Sequence, residues 1–476
     1  MSMNEAVEFR KNSEPSQHQD KIDMLTNIRE TVCIIGLGYV GLTLAAAMAQ
    51  AGYRVCGVER NPEIRDAVNA GHAHFSEPGL DAVIDELVKS ERLSAADVLP
   101  PAGEATCYII TVGTPLTVEG AVNLAALEEV LENITTVLRD GDLVVLRSTV
   151  KSGTTRNIAK RILDKTGCDY DLAFCPERTL EGKALKELTE LPQIIGADTS
   201  RARSHARRLF EVFAPNVIEL DNFEAAELVK LINNTHRDLM FAFANEVAEM
   251  CDSLGLRVND VLNACCSGYP RSRIPQPGLV GGPCLEKDTH ILAEGLREVN
   301  YIPRIALAGR RLNEEMPRSS IANIARTLKR LGTADIERRK IAILGLAFKG
   351  RPATDDLRGS MAEHILEVAR GRWPLAEYYA YDAVVSHSSF QRFGVIPCRT
   401  LEDAFSGATL VLIQNNHEIH ASMDLGRLAE TMAAPGIVYD YWNLFPKGVN
   451  NMPKGRYYYG FGNPSLIQQN DIFYVT

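Results

Sequence analysis

The stretch TVCIIGLGYVGLTLAAAMAQAGYRVCGVER, residues 31–60, constrains the fold more than any other part of the chain. An apolar strand runs into Gly36-x-Gly38-x-x-Gly41, an apolar helical run follows, and a second strand ends at Glu59. Glycines at those places permit a tight turn and let backbone approach a pyrophosphate at the helix N-terminus. Glu59 stands roughly 20 residues on, where an acid meets a ribose 2′-hydroxyl. Together these elements predict a dinucleotide site built on Gly36, Gly38, Tyr39, Val40 and Gly41. The acid repels a 2′-phosphate, so NAD is expected rather than NADP. Arg60 and Arg65 beside it are the residues that could pair with such a phosphate.

More strands are needed to complete a sheet, and the sequence supplies them. CYIITVGTP (107–115), DLVVLRSTV (142–150) and DLAFCPE (171–177) are apolar and separated by helical stretches, as in a doubly wound parallel sheet. Ligands bind at the carboxyl ends of such strands, which places Thr114, Ser148, Thr149 and Glu177 at the mouth of a crevice. Thr114 and Thr149 could equally be plain turn residues. Glu177 closes an apolar strand just before Arg178 and is harder to explain that way.

At 476 residues the chain suits two or three domains. Its net charge of −10 argues against nucleic acid or an anionic membrane as main partner. No apolar run approaches the roughly 20 residues needed to cross a bilayer. The start, MSMNEAVEFRKNSEPSQHQDKID, lacks the apolar core of a signal peptide and reads as a mobile polar arm. Ten scattered cysteines, with no zinc-like Cys/His spacing, fit reduced thiols in a cytoplasm and no metal.

A long helix is expected over residues 221–256, apolar around most of its circumference beyond Leu228. On it Glu227, Lys230, Asn234, Arg237 and Asp238 recur at three- and four-residue steps and share one face. Charged groups on a largely buried helix are either paired or functional. The helix also suits a spacer and a subunit contact. From Lys340 an α/β pattern restarts with KIAILGLAFKGRPATDDLRGS, followed by strands at 377–383, 409–415 and 437–443. Lys349 and Arg358 at a strand end could neutralise a second diphosphate, or form an interdomain ion-pair cluster with the neighbouring aspartates.

Between these halves lies GGPCLEKD, residues 281–288. LEKDTHILAEGL reads as a helix, so Cys284 stands at its N-terminus, where the dipole and Lys287 favour thiolate over a free thiol of pKa roughly 8.5. Asp288 faces the same way one turn on, and Gly281 and Gly282 leave room for a bulky ligand. A thiolate beside a nicotinamide suggests aldehyde oxidation through a thiohemiacetal and a thioester.

GLGYVG, VGTP, STV, CPERTLEGKAL, ELVKLINN, GGPCLEKD and GLAFKGRPATDDLR occur in an order that resembles the UDP-glucose/GDP-mannose dehydrogenase family. The resemblance covers nearly everything after residue 30. It implies two doubly wound Rossmann-like domains joined by a long central helix: an arm (1–29), an NAD-binding domain (30–218), a central helical dimerisation domain with the cysteine (219–325) and a UDP-sugar-binding domain (326–476). By motif, Cys284 would be the nucleophile, and Lys230 and Asn234 would stabilise charge on the reacting oxygen. Asp288 and Thr149 would position water, and Glu177 would act as acid or base or hold water. Arg178, Thr179, Glu181, Arg237, Arg271, Gly281, Phe348 and Lys349 would meet the substrate. Lys287 and Arg358 would reach cofactor or substrate phosphates, with Thr114 and Ser148 on the cofactor side.

Within the family, CPER and Arg237 resemble the branch acting on UDP-N-acetylhexosamines such as UDP-N-acetylmannosamine; UDP-glucose is the alternative substrate. The resemblance implies oxidation of a primary alcohol to a carboxylate by two rounds of NAD reduction, serving surface polysaccharide synthesis. A two-electron hydroxy-acid dehydrogenase or a non-catalytic sensor would not need the Cys, Lys, Asn and Asp set.

Overall fold

The computed structural model describes residues 30–117, 120–332, 339–445 and 451–463; the arm expected over 1–29 lies outside the described residues. The opening unit forms as β1 (Thr31–Ile35), α1 (Tyr39–Gln50) and β2 (Arg54–Val58). Val32 to Ile35 are buried, as a strand covered on both faces requires. The first sheet continues through β3 (Leu93–Ala96), β4 (Cys107–Ile110), β5 (Leu143–Leu146), β6 (Asp171–Phe174), β7 (Gln193–Gly196) and β8 (Val217–Leu220). Its order is β3-β2-β1-β4-β5-β6-β7-β8, so the direction of winding reverses between β1 and β4. That reversal opens the crevice in which a dinucleotide lies.

Two details differ from the sequence expectation. The strands stop earlier, β4 at Ile110 rather than 115, because the chain leaves the ladder to form turns at the cleft. The sheet is also not wholly parallel: β7 meets β6 antiparallel at the Phe174–Gly196 pair.

The central helix α2 (Phe223–Leu254) forms two residues inside each expected limit. Asn222 caps its start by accepting the Ala225 N–H, and Gly255, at φ 67°, ends it in the left-handed region that favours glycine. Helices α3 (Leu285–Arg297) and α4 (Arg304–Arg330) pack against it. Phe223 and Ala226 at its start belong to the apolar core of the first sheet. Ala248 and Cys251 near its end belong to the core of the second. One helix therefore anchors in both halves.

The second sheet comprises β9 (Lys340–Leu344), β10 (Glu377–Tyr381), β11 (Ile396–Pro397), β12 (Ala408–Ile413), β13 (Gly436–Asp440) and β14 (Arg456–Gly460). It is parallel, in the order β11-β10-β9-β12-β13-β14, with α5 (Met361–Arg372) on one face. Its glycine turn is closed: the Asn415 side chain occupies the space where a Cβ on Gly345 would stand. At Gly38 in the first domain nothing lies within 4 Å of that place. Among the described residues no helix is long and apolar enough to cross a membrane.

Candidate active site

A cleft of about 1320 Å³ runs from the β1–α1 turn to the start of α3 and the loop after β9. Gly36, Gly38, Glu59, Arg60 and Thr114 line it on one side; Lys287 and Arg358 line the other. Glu59 is fixed at the end of β2, accepting the N–H groups of Leu37 and Asn61, each at 2.9 Å. An open glycine turn, a helix start and a fixed acid at the sheet's reversal point fit NAD. Gly41 serves packing instead of ligand approach, since a Cβ there would collide with the Gly36 carbonyl. Tyr39 and Val40 do not line the cleft. The Tyr39 hydroxyl turns away to Glu77 and the Gly182 N–H. Ser148 is buried and donates to the Val112 carbonyl at 2.7 Å, while the Thr114 hydroxyl donates to the Thr149 carbonyl.

Cys284 stands at the N-terminus of α3, exposed to solvent on its outer side. Its surroundings pull the thiol in both directions. Removal from bulk water raises it above the ordinary value and outweighs the opposing charge of Lys230; Asp288 raises it further, while Lys287 and Arg358 pull it down. Asp288 is completely buried and forms the hub of the group: it accepts from Asn234 at 2.6 Å and pairs with Lys287 at 2.9 Å. Lys287 is thus engaged by Asp288, and Arg358 pairs with Asp356 at 2.6 Å.

The stripe on α2 is real, and its neighbours change along its length. Glu227, fully buried, accepts the Thr155 N–H at 2.8 Å and its hydroxyl at 2.6 Å, tying α2 to the first domain. Asp238 accepts from Arg310 at 3.0 Å and Asn313 at 2.8 Å on α4. Lys230 is buried between them, and its charge acts on both Cys284 and Glu177. Arg237 is exposed, close enough for its charge to act on Lys349.

Glu177 is the ion-pair partner of Arg147. Burial alone would raise its carboxyl, but the Arg147 charge, the Thr179 N–H and Lys230 hold it below the usual range. Arg147 donates Nε to it at 3.1 Å, and the N–H groups of Arg178 and Thr179 each donate at 2.7 Å. The Arg178 guanidinium reaches the Pro192 carbonyl. Lys349 donates to the Glu181 carbonyl at 2.6 Å and lies over the Phe348 ring. Burial lowers Lys349 and raises Glu181.

The room expected at Gly281 and Gly282 is taken by protein. A Cβ on Gly281 would strike the Gly359 carbonyl, and one on Gly282 the Phe348 ring. On their Cβ side the glycines admit the third segment of the chain. Arg271 is exposed with its guanidinium over the Tyr269 ring, apart from the cluster in a single chain. Arg147, Gln193 and Glu77 had no sequence signal: a single charge at a strand end or in a turn has no period to reveal it. Among the described residues no group of acids, histidines and cysteines could hold a metal.

Residues 30–214 match the NAD binding domain of the UDP-glucose/GDP-mannose dehydrogenase family, 224–315 its central domain and 342–447 its UDP binding domain. A UDP-N-acetyl-D-mannosamine dehydrogenase of Pyrococcus horikoshii is 32% identical over 90% of this chain and 99% of its own. Its Campylobacter jejuni counterpart is 37% identical over 70% and 82%. The solved structure of the Pyrococcus horikoshii protein superposes with a TM-score of 0.81 at 31% identity, covering 91% of this chain and 99% of that one. A UDP-glucose dehydrogenase of Pyrobaculum islandicum gives 0.80 at 27%, covering 92% and 98%. The chain belongs to the UDP-glucose/GDP-mannose dehydrogenase family and is an NAD-dependent UDP-sugar dehydrogenase.

Proposed function

We propose that the protein oxidises the primary alcohol of a UDP-N-acetylhexosamine, UDP-N-acetylmannosamine foremost, to the uronic acid in two steps. The observation that carries this reading is an accessible cysteine at a helix start, beside the buried Lys230 and the Asn234–Asp288 pair, opposite an NAD-type glycine turn. NAD, when bound, accepts a hydride in each step. Lys230 and Asn234 stabilise the oxygen as its proton leaves and negative charge develops. The Cys284 sulfur then adds to the aldehyde carbon; the thiohemiacetal loses hydride to become a thioester, and water displaces the sulfur to give the acid. Thr149 and Asp288 position that water, with Glu177 holding it as a carboxylate.

Residues 30–218 seat the cofactor, 219–325 carry the thiol, and 326–476 hold the nucleotide. Arg178, Thr179, Glu181, Arg237, Gly281, Phe348 and Lys349 face the sugar nucleotide, with Arg271 supplied across a homodimer. Exposed Ile232, Phe243, Met250 and Leu254 on one face of α2 support such a dimer. The product would feed surface polysaccharide synthesis in the cytoplasm. UDP-glucose is the second reading, favoured by the Pyrobaculum islandicum likeness.

NADH release on purified UDP-N-acetylmannosamine, UDP-N-acetylglucosamine and UDP-glucose separates the substrates. Two NADH per sugar are expected, fastest on UDP-N-acetylmannosamine. Cys284→Ala should abolish acid formation with NAD binding retained. Uronic acid formed by Cys284→Ala at the wild-type rate would end the covalent reading.

A further inference from the structure

Glu77 lies in the turn before the helix Leu80–Lys89, only 7% exposed, and none of the functional motifs includes it. Its carboxylate accepts three hydrogen bonds from two distant segments. One oxygen takes the Tyr39 hydroxyl and the Gly182 N–H at 2.7 Å; the other takes the Ala184 N–H at 2.8 Å. The Gly182 N–H also donates to the Tyr39 oxygen at 2.9 Å. Tyr39 is the first residue of α1, directly after the cofactor turn, and its ring is held against Phe75 with centroids 4.8 Å apart.

The segment Glu77 holds is the one that Lys349 and Thr354 grasp from the opposite side. Lys349 donates to the Glu181 carbonyl, and the Thr354 hydroxyl to the Glu181 carboxylate, both at 2.6 Å. Pro352 packs where a Cβ on Gly182 would stand, and Gly182 sits at φ +85°, where a side chain would be strained. Residues 181–184 are therefore stretched between the cofactor helix and the nucleotide domain, with Glu77 as the sole acidic side chain holding the near end among the described contacts.

We propose that Glu77 is a positioning residue for the sugar nucleotide: it ties residues 181–184 to the first turn of α1 and so sets where Glu181 and Lys349 meet the substrate. This rests on the reading above that those two residues face the sugar nucleotide. An amide in place of the carboxylate turns a donor toward one of the three donors and leaves it unpaired, a loss of a charge-assisted bond.

The test is steady-state kinetics of Glu77→Gln and Tyr39→Phe on whichever UDP-sugar the wild type oxidises. For Glu77→Gln the KM for the sugar nucleotide should rise about tenfold or more, from the size of one such bond. The KM for NAD and kcat at saturation should stay within about threefold, a split that general loosening would not produce. Tyr39→Phe removes one of the two acceptors of Gly182 N–H and should move the same KM by a smaller factor. The double variant should fall short of the product of the two, because both act through one network. Should Glu77→Gln fail to fold, Glu77→Asp, which keeps the charge but draws it back by one methylene, and its KM split decide instead. An unchanged sugar-nucleotide KM, or both KM values rising together, overturns the proposal. A wild type that turns over no UDP-sugar overturns the functional reading instead.

Discussion

Replacing Arg147 by Met takes from the buried Glu177 the cation that donates hydrogen bonds to it, leaving the charge of Lys230 acting on it. In the native protein the Arg147 side chain is 1% exposed and that of Glu177 8%, so neither charge is relieved by water. The substitution leaves Glu177 with two backbone N–H donors, from Arg178 and Thr179, and leaves the Gln193 amide oxygen without its 2.9 Å donor. Breaking a buried pair from one side costs roughly 3–5 kcal/mol while the remaining charge is ionised. The pH dependence gives the sharper signature. In the native fold the carboxyl is lowered, so its contribution is present above the ordinary value of about 4.3 and fades as pH falls through the folded value. In the variant, burial is opposed only by Lys230 and the backbone donors, so the carboxyl rises relative to the native protein and acidification relieves part of the cost. Urea unfolding at pH 8 and pH 5 should therefore show the full gap at pH 8 and a clearly smaller one at pH 5. A gap below about 1 kcal/mol at pH 8, or one of equal size at both, would refute the reasoning.

Alkylation of Cys284 by iodoacetamide should follow a thiol whose midpoint lies above the usual range; Asp288→Asn should lower that midpoint and Lys230→Met raise it, read by peptide mass spectrometry across pH. Glu59→Ala should narrow the preference for NAD over NADP by at least about tenfold, measured as the ratio of kcat/KM values, because the acid that repels a 2′-phosphate is gone. Burial first, and Glu249 second, push Asp252 at the end of α2 up to about 7 against the Gly462 N–H. Its charged form is thus disfavoured by folding, so stability falls as pH rises through that value. Asp252→Asn should raise the unfolding free energy at pH 8 by on the order of 1 kcal/mol or more, and lose the advantage as pH falls to about 4.

The first domain was legible because its signals are local. A glycine turn, a strand and an acid lie within thirty residues, and α2 carries its own cap and glycine stop. Strands β3, β7 and β8 escaped notice because LSAA, QIIG and VIEL are not set in the longer apolar stretches that mark β4, β5 and β6. The antiparallel turn of β7 is likewise a matter of where the chain re-enters, which residue type does not encode. Within the site, the sequence placed Cys284, Lys230, Asn234 and Asp288 near one another through their motifs. It could not show that Gly281 makes room for Gly359, because the occupant lies far along the chain. For the thiol, helix position and Lys287 are visible in sequence, while the opposing influences of Asp288, Lys230 and Arg358 depend on the assembled cleft.

The close seating of Gly281 and Gly282 has a mechanical consequence. The Gly282 N–H donates to the Gly359 carbonyl at 2.7 Å, and the late part of α2 shares a core with the second sheet. The loop presenting the thiol and the segment bearing Arg358 thus form one solid jaw, while the cofactor turn belongs to the other. The cleft lies along the seam between the two, with the glycine turn on one wall and the start of α3 on the other. On the proposed two-step reaction, a sugar held on Cys284 would share its wall with the nucleotide domain, while cofactor would exchange against the opposite wall.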